Sequence, residues 1–391
     1  MNSTQTTASA MCRMSVVRSI AAFFVLACAA SASAATITPG KVLFDATKAQ
    51  MAGNADWVVD ADVHNVGTAS SGAMQAGSGT DSNPQRYPTA AASGITASTV
   101  ETYWTGALSS WGVALVKRGF QVETLPIGGR ITYGDTTNAQ DLSNYGIYVL
   151  DEPNILFTTA EKSAIVRFVA AGGGLFMIAD HTSSDRNNDG EDALMVLNDL
   201  VTNNGVSTNV FGITFNANSY SLTSSYVATS TTDPLIHGVA GAVAQMQYSA
   251  GTTITMTGTN THGAIWRTSA RASNDAMVAY ATYGLGKIVA CGDSSPFDDG
   301  TGDSSDTLYT GWAGAVNGDH AKLTINACLW LNPVIHCPAD LDGSGKVDGA
   351  DLARLLQSWG TCSGCAADLD GNHAVDGADI AQLLQGWGNC P

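Results

Sequence analysis

The sequence predicts an α/β protein with a mainly parallel sheet and flanking helices, followed by a small all-α C-terminal domain. Three observations carry this reading. From about residue 36 to residue 333, short apolar runs alternate with helical stretches, the pattern of strands joined by crossover helices. The clearest helix is bracketed by a capping box and a glycine run and lies between two apolar runs. Finally, residues 337–391 write one acidic loop and one apolar-faced helix twice, and such a duplication marks a structural unit.

At the N-terminus, Arg13 and Arg18 precede "SIAAFFVLACAA" and then "SASAA". This predicts a secretory signal peptide over residues 1–34, cleaved near Ala34, and an exported, extracellular or cell-surface protein. No later run reaches the roughly 18 consecutive apolar residues of a membrane helix, so no transmembrane segment is expected. The formal charge is −17, and loss of Arg13 and Arg18 with the signal peptide takes it to −19. Such a chain repels nucleic acid. With 45% hydrophobic and 13% charged residues, it has ample material for one large core.

The readable strands of the large domain, residues 36–333, are "KVLFD", "GFQVETL", "GIYVLDE", "GLFMIAD", "AMVAYAT" and "KIVACGD". Thr158 and Glu161 form the capping box that opens the clearest helix, and glycines 172–174 close it. A second helix is predicted from about Thr99 to Lys117, and "YGLGK" reads as the hairpin turn between the last two strands. Cys291 and Cys328 fall on a predicted strand and a predicted helix, as buried thiols do.

Four of these strands end in acids: Asp45, Asp151 with Glu152, Asp180 with His181, and Asp293. Each acid either caps the turn that follows it or joins the others in the crevice beyond the strand ends, where open parallel sheets bind ligands. Asp151 and Glu152 are adjacent on an extended chain and point to opposite sides, which argues against a paired general acid and base. Ser294 follows a strand end and is a candidate nucleophile, with His320 or His181 as its base. No Gly-x-Ser-x-Gly elbow accompanies it, and a serine-rich polar loop is the plainer reading. In "DRNNDGED", Asp185, Asn187, Asp189 and Gly190 occupy positions 1, 3, 5 and 6 of a calcium loop, but Val196 stands where the closing acid belongs. The stretch is either a partial divalent-metal site, completed by Glu191, Asp192 or His181, or a polar turn.

The run "FVAAGGGLFMIADH" and the strand order around it resemble the class I glutamine amidotransferase-like domains, including relatives of trehalose-utilisation proteins. The resemblance implies a flavodoxin-like, amidotransferase-like sheet. That family carries its cysteine nucleophile on the turn after this strand. Here the turn holds Asp180 and His181, and no His-x-Glu follows a late strand, which argues against glutamine hydrolysis.

In the tail, "CPADLDGSGKVDGADLARLLQSWGTC" and "CAADLDGNHAVDGADIAQLLQGWGNC" align 28 residues apart (368 − 340). Oxygen-bearing side chains recur at the spacing with which a twelve-residue loop wraps a hard cation. Asp340, Asp342, Ser344 and Asp351 would bind one calcium, and Asp368, Asp370, Asn372 and Asp379 a second. Lys346 and Ala374 would offer carbonyls, and Asp348 and Asp376 would act through water. Val347 and Val375 are expected to pair as short strands tying the loops together. Leu352, Leu355 and Leu356, then Ile380, Leu383 and Leu384, set one apolar face on each following helix.

This duplicated unit resembles the type I dockerin over residues 337–391, with Asp rather than Glu closing each loop. The resemblance implies two calcium ions, with a third left to the large-domain loop. It also implies a cohesin-like scaffold protein or a cell-surface receptor as partner. Because dockerin-like tails append catalytic modules, it implies an exported hydrolase of polysaccharides, cutting glycosyl bonds or ester decorations. The alternative is a non-catalytic glycan- or protein-binding component. His373 replaces the expected glycine at position 6 of the second loop, which weakens or distorts that site. The small pairs Gly349-Ala350 and Gly377-Ala378, where dockerins choose partners, are the same in both copies. The dockerin arrangement favours disulfides Cys337–Cys390 and Cys362–Cys365, although four cysteines allow three pairings.

Overall fold

The computed structural model describes residues 37–52, 55–60, 66–68, 74–76, 90–104, 106–301, 310–333, 338–342, 344, 346–362 and 365–389. The expected signal peptide, Cys337 and Cys390 lie outside the described residues. Among the described residues, no helix is long and apolar enough to cross a membrane.

Alternation along the strands decides the layers of the large domain. Five strands run parallel: β1 (Lys41–Asp45), β2 (Gln121–Leu125), β3 (Ile147–Asp151), β4 (Gly174–Ile178) and β12 (Gly286–Cys291). Val42, Phe44, Val149, Phe176 and Val289 face one core, shared with α1 (Ser109–Val116) and α4 (Asp319–Leu331). Their neighbours Leu43, Tyr148, Leu150, Leu175 and Met177 face the other, with α2 (Thr159–Ala170) and α3 (Ala193–Thr202). A strand apolar at every position is covered on both faces, as parallel strands require. Trp111 is the hub of the first core, its ring within 5.1 to 5.2 Å of Phe44, Phe176 and Phe297 and its Nε1 donating to Cys328 Sγ at 3.3 Å.

The spatial order of the parallel strands is β2-β1-β3-β4-β12. Beyond β12 the sheet curls on through antiparallel strands that the sequence reading leaves out in large part. These are β5 (Ile213–Phe215), β7 (Tyr226–Val227), β9 (Ile254–Met256), β10 (Thr261–Trp266) and β11 (Ala276–Tyr283); β6 (Tyr220–Ser224) and β8 (Met246–Gly251) form a separate pair. The protein is therefore mixed α/β, with a parallel main run, an antiparallel extension and helices on both faces. The Thr158–Glu161 capping box and the β11–β12 hairpin stand as expected.

The helix expected from Thr99 to Lys117 is shorter, because the chain must bend at Gly106. There Leu108 donates its N–H to Val58 O, and a Cβ on Gly106 would lie 2.2 Å from that carbonyl. A 3-10 turn (Glu101–Tyr103) replaces the first half, and the α-helix begins only at Ser109.

The tail is not purely helical. It holds α5 (Gly349–Gln357) and α6 (Gly377–Gln385) around a small core of Val347, Leu355, Val375 and Leu383, with four two-residue strands. Val347 and Val375 do not pair with each other. Instead β13 (Lys346–Val347) pairs with β16 (Gly388–Asn389), and β14 (Gly360–Thr361) with β15 (Ala374–Val375). Each loop is thus stitched to the exit of the other repeat. Cys362 and Cys365 are disulfide-bonded, their Cα atoms 5.9 Å apart.

Gly106→Ala should destabilise the large domain by more than about 2 kcal/mol in urea unfolding, since backbone on both sides must give way.

Candidate functional site

Four parallel strands deliver acids to one end of the sheet. Asp45 ends β1, Asp151 and Glu152 end β3, Asp180 lies two residues past β4 and Asp293 two past β12. All five are buried. Burial of carboxyls without compensation is costly, so their partners define the site.

Arg186 is the cation among them. Its Nε donates to Glu152 Oε1 at 2.7 Å, and its Nη2 donates to Asp180 Oδ2. Glu152 Oε2 also accepts Trp57 Nε1 at 2.8 Å and Ser294 Oγ at 2.7 Å. Glu152 reaches these partners from a left-handed backbone conformation, φ 45°, which a non-glycine residue holds only when its surroundings insist. Asp180 Oδ1 accepts the His181 backbone N–H at 2.6 Å and faces His181 Nδ1 at 2.8 Å. The His181 ring is about a quarter exposed and is the open edge of this group.

Asp293 is held by four donors: Ser295 N and Oγ on one oxygen, Ser249 N and Ala250 N on the other. Ser249 and Ser295 in turn line a cavity of about 260 Å³ with Gln247, Gly311 and His320. Asp45 is occupied by Thr47 and Gln50, so it serves its own turn. Asp151 differs from the rest, because both of its carboxyl oxygens are buried and neither has a hydrogen-bond partner among the described residues.

The ionisation states follow from these environments. Burial, then the charges of Asp180, Asp293 and Asp298, drive Asp151 well above the carboxylate range. Burial and Asp180 also raise Glu152, with Arg186 pulling the other way. Burial and then Asp180 push Asp293 up to about 7, and burial pushes Asp45 to about 6. Asp180 is the exception: burial opposes its charge, but His181 and Arg186 hold it below the ordinary value. The Asp180 hydrogen bond raises His181 in turn, against a smaller desolvation cost. The environments thus favour charge on Asp180 and on His181 and disfavour it on Asp151.

The strand ends therefore bring Asp151, Asp180, His181 and Asp293 together, and Ser294 joins them in a different role. Ser294 donates to Glu152. His320 is engaged at both ring nitrogens, by Gly311 O at 2.7 Å and Gln247 N at 2.9 Å, and His181 Nδ1 is taken by Asp180. Neither histidine serves Ser294 as a base. Cys291 and Cys328 are free and buried, their thiols each pushed up to about 12 by burial, which leaves them inert. Arg186 and Asp298 are members that the sequence reading does not single out. The available signal was one arginine inside an otherwise acidic turn, in a chain with only 17 basic residues.

The loop at Asp185 is held by its own backbone. Asp185 accepts the N–H groups of Asp189 at 3.2 Å and Gly190 at 2.8 Å, and the Asn187 amide donates to Asp189 at 2.8 Å. Asp368 receives Asn372 N and His373 N from the same relative positions in the tail, at 3.1 and 2.9 Å.

In the tail, carboxyl oxygens of Asp340, Asp342 and Asp351 lie within 4.8 Å of one another, as do those of Asp368, Asp370 and Asp379. Asp351 and Asp379 are fully buried at the closing position. Asp351 accepts Asp342 N and Asp348 N; Asp379 accepts Leu369 N and Asp376 N. These amides, that of Asp376 first, hold Asp379 below its ordinary value. Ser344 and Asn372 turn inward onto the first acids of their loops through their backbone N–H groups. Asp348 and Asp376 instead cap α5 and α6. The donor set is hard oxygen throughout, which suits calcium. His373 has φ 70°, a left-handed conformation imposed on a side-chain-bearing residue.

Neither a family model nor a curated protein matches this chain. Among solved structures it is similar to the mmIFT52 N-terminal domain (16% identity, 54% of this chain and 84% of that chain, TM-score 0.38). It is also similar to Cytoplasmic Protein STM1381 from Salmonella typhimurium LT2 (14% identity, 75% and 97%, TM-score 0.37) and Cytoplasmic Protein STM3548 from Salmonella typhimurium (13% identity, 49% and 73%, TM-score 0.29).

The site predicts a pH dependence with a definite sign. Asp45 and Asp293 have folded values above their unfolded ones, so the native state binds more protons between about pH 4 and 7 and loses stability as pH rises through that window. The contribution of His181, raised on folding, is likewise present below its ordinary value and lost as pH rises through its folded one. Asp180 acts in the opposite sense, but only below the ordinary carboxylate range. Calorimetry at constant ionic strength should therefore find the unfolding midpoint falling steadily from about pH 5 to about pH 8.

Proposed function

We propose that this chain is an exported, calcium-binding protein. Its C-terminal segment is a dockerin-like module that docks to a cohesin-like scaffold or a cell-surface receptor, and its large domain is a hydrolase acting on polysaccharide. The observation that carries the reading is the pair of tail loops, each gathering three carboxyls within 4.8 Å of one another with the closing acid buried beneath them. Three carboxylates at that spacing repel strongly unless a divalent cation lies between them. Asp340, Asp342, Ser344 and Asp351, with the carbonyl of Lys346, would hold one ion. Asp368, Asp370, Asn372 and Asp379, with the carbonyl of Ala374, would hold the other. The ion would supply charge neutralisation and lock each helix to its loop.

Support for docking comes from the outer face of the same unit. Leu356 and Trp359 in the first repeat, and Leu384 and Trp387 in the second, are each about half exposed. An apolar pair displayed twice in one small module fits a protein partner.

For the large domain, we infer a flavodoxin-like, amidotransferase-like sheet without the nucleophile of that family. In chain order the parallel strands stand 2-1-3-4-5, and the turn after β4 carries Asp180 and His181 in place of cysteine. The hydrolytic reading rests on His181 at the open edge, its Nδ1 held 2.8 Å from Asp180 Oδ1, as proton donor to a leaving oxygen. Asp151 and Asp293 would set the field around it. The sealed, single-digit exposure of the other acids favours a second reading, a glycan-binding domain that performs no chemistry.

Calcium added to the full chain should raise helicity and the melting point of the tail, and Asp340→Ala with Asp368→Ala should abolish the response; no change with millimolar calcium would sink the docking module. His373→Gly should tighten the second site several-fold in a calcium titration by relieving about 1 kcal/mol of backbone strain. In glycan-release assays His181→Ala and Asp180→Ala should each lose at least about a hundredfold. Unchanged release in both would remove the catalytic assignment, and absence of release by the wild type would favour the binding reading.

A further inference from the structure

A second cleft lies where the antiparallel strands end, next to the turn that bears His181. It encloses about 420 Å³ and is lined almost wholly by polar side chains. Asn218 ties it to the strand-end site, since its carbonyl accepts the backbone N–H of Thr182 at 3.0 Å.

The hydrogen-bond inventory of this cleft is one-sided. The side-chain oxygens of Asp275, Asn216 and Asn218 are each engaged internally. Asp275 receives Arg267 Nε on one oxygen and Thr268 Oγ on the other, both at 2.7 Å. Asn216 Oδ1 receives Thr255 Oγ at 2.8 Å, and Asn218 Oδ1 receives Thr253 N and Thr252 Oγ at 2.9 Å each. Donors are what remain. The two terminal amino groups of Arg267 have no acceptor among the described residues, and the guanidinium is held in place by Asp275 and by stacking 4.5 Å above the Tyr220 ring. Thr253 Oγ already accepts the side-chain amides of Asn216 and Asn218, both at 2.9 Å, so its own proton points elsewhere. A rigid guanidinium fork with both terminal amino groups unused, beside the Thr253 hydroxyl, is complementary to a planar or tetrahedral oxyanion.

We propose that this cleft binds the anionic group of an acidic glycan, a uronate carboxylate or a sulfate ester, and holds the chain alongside His181. The proposal rests on the polysaccharide reading of the large domain and names its substrate class. The net charge of −17 does not oppose it decisively, because repulsion from distant surface acids is screened within about 8 Å at physiological salt, whereas the Arg267 contacts are made at hydrogen-bond distance.

The test is calorimetric titration of the full chain, without added calcium, against a uronate oligosaccharide, a sulfated oligosaccharide and a neutral one of equal length. Binding is expected to one or both acidic ligands and not to the neutral one; the ligand that binds identifies the oxyanion. Arg267→Ala should weaken binding at least about tenfold, and Arg267→Lys should restore part of it. Thr253→Val leaves the ion pair intact while removing this donor, together with the acceptor of the Asn216 and Asn218 amides, and should weaken binding about threefold to tenfold even if Arg267→Ala fails to fold. Equal binding of the neutral ligand, binding to none of the three, or wild-type affinity in Arg267→Ala and Thr253→Val would overturn the proposal. Acidic-glycan binding that survives in His181→Ala while release is lost would support both readings. Binding with no release in any variant would leave this cleft standing and remove the hydrolase.

Discussion

One guanidinium joins two of the buried strand ends of the large domain. Four parallel strands end in acids that the fold buries, and Arg186 is the cation whose two arms bridge Glu152 and Asp180 from different strands. Pairing of this kind contributes little net stability by itself, but removing one partner of a buried pair leaves an uncompensated charge worth roughly 3 to 5 kcal/mol. Much around it depends on that bridge. Trp57 and Ser294 orient on Glu152, and His181 orients on Asp180. Burial, then the charges of its neighbouring acids, drives Asp151 well above the ordinary carboxylate range, and no donor among the described residues satisfies it.

This division separates acids that could not be told apart by position along their strands. Asp45 serves the turn after it through Thr47 and Gln50, while Asp293 organises two neighbouring segments through four donors. The neighbours of Asp180 hold it below the ordinary carboxylate range, and Asp151, with no such partners among the described residues, is pushed well above it. Similar residues at similar places thus acquire different chemistry from what reaches them, and some of those partners, such as Ser294 for Glu152 and Ser249 for Asp293, come from far away in the chain.

That is also why the parallel half of the sheet was legible and the rest was not. Runs such as "KVLFD" and "GLFMIAD" are apolar on both faces, and the Thr158–Glu161 box announces its helix locally. The antiparallel strands around Thr261–Trp266 mix histidine, glycine and tryptophan and are half exposed, so their pattern is weak. The over-long helix before Lys117 failed because the constraint on Gly106 is a contact with Val58, invisible to helical periodicity. Convergence of the strand-end acids could be anticipated from topology. Arg186 could not, because its role depends on where one turn folds back.

In the tail the duplication in sequence is not a duplication of independent parts in space. Each two-residue loop strand finds its partner after the helix of the other copy, so a single copy would leave both of its strand segments with unpaired backbone and half a core. The unit able to be shuffled between proteins, or to survive as a fragment, is the pair. The strand pairing ties each loop to the exit of the other copy's helix, which makes the segment one linked unit rather than two beads on a string.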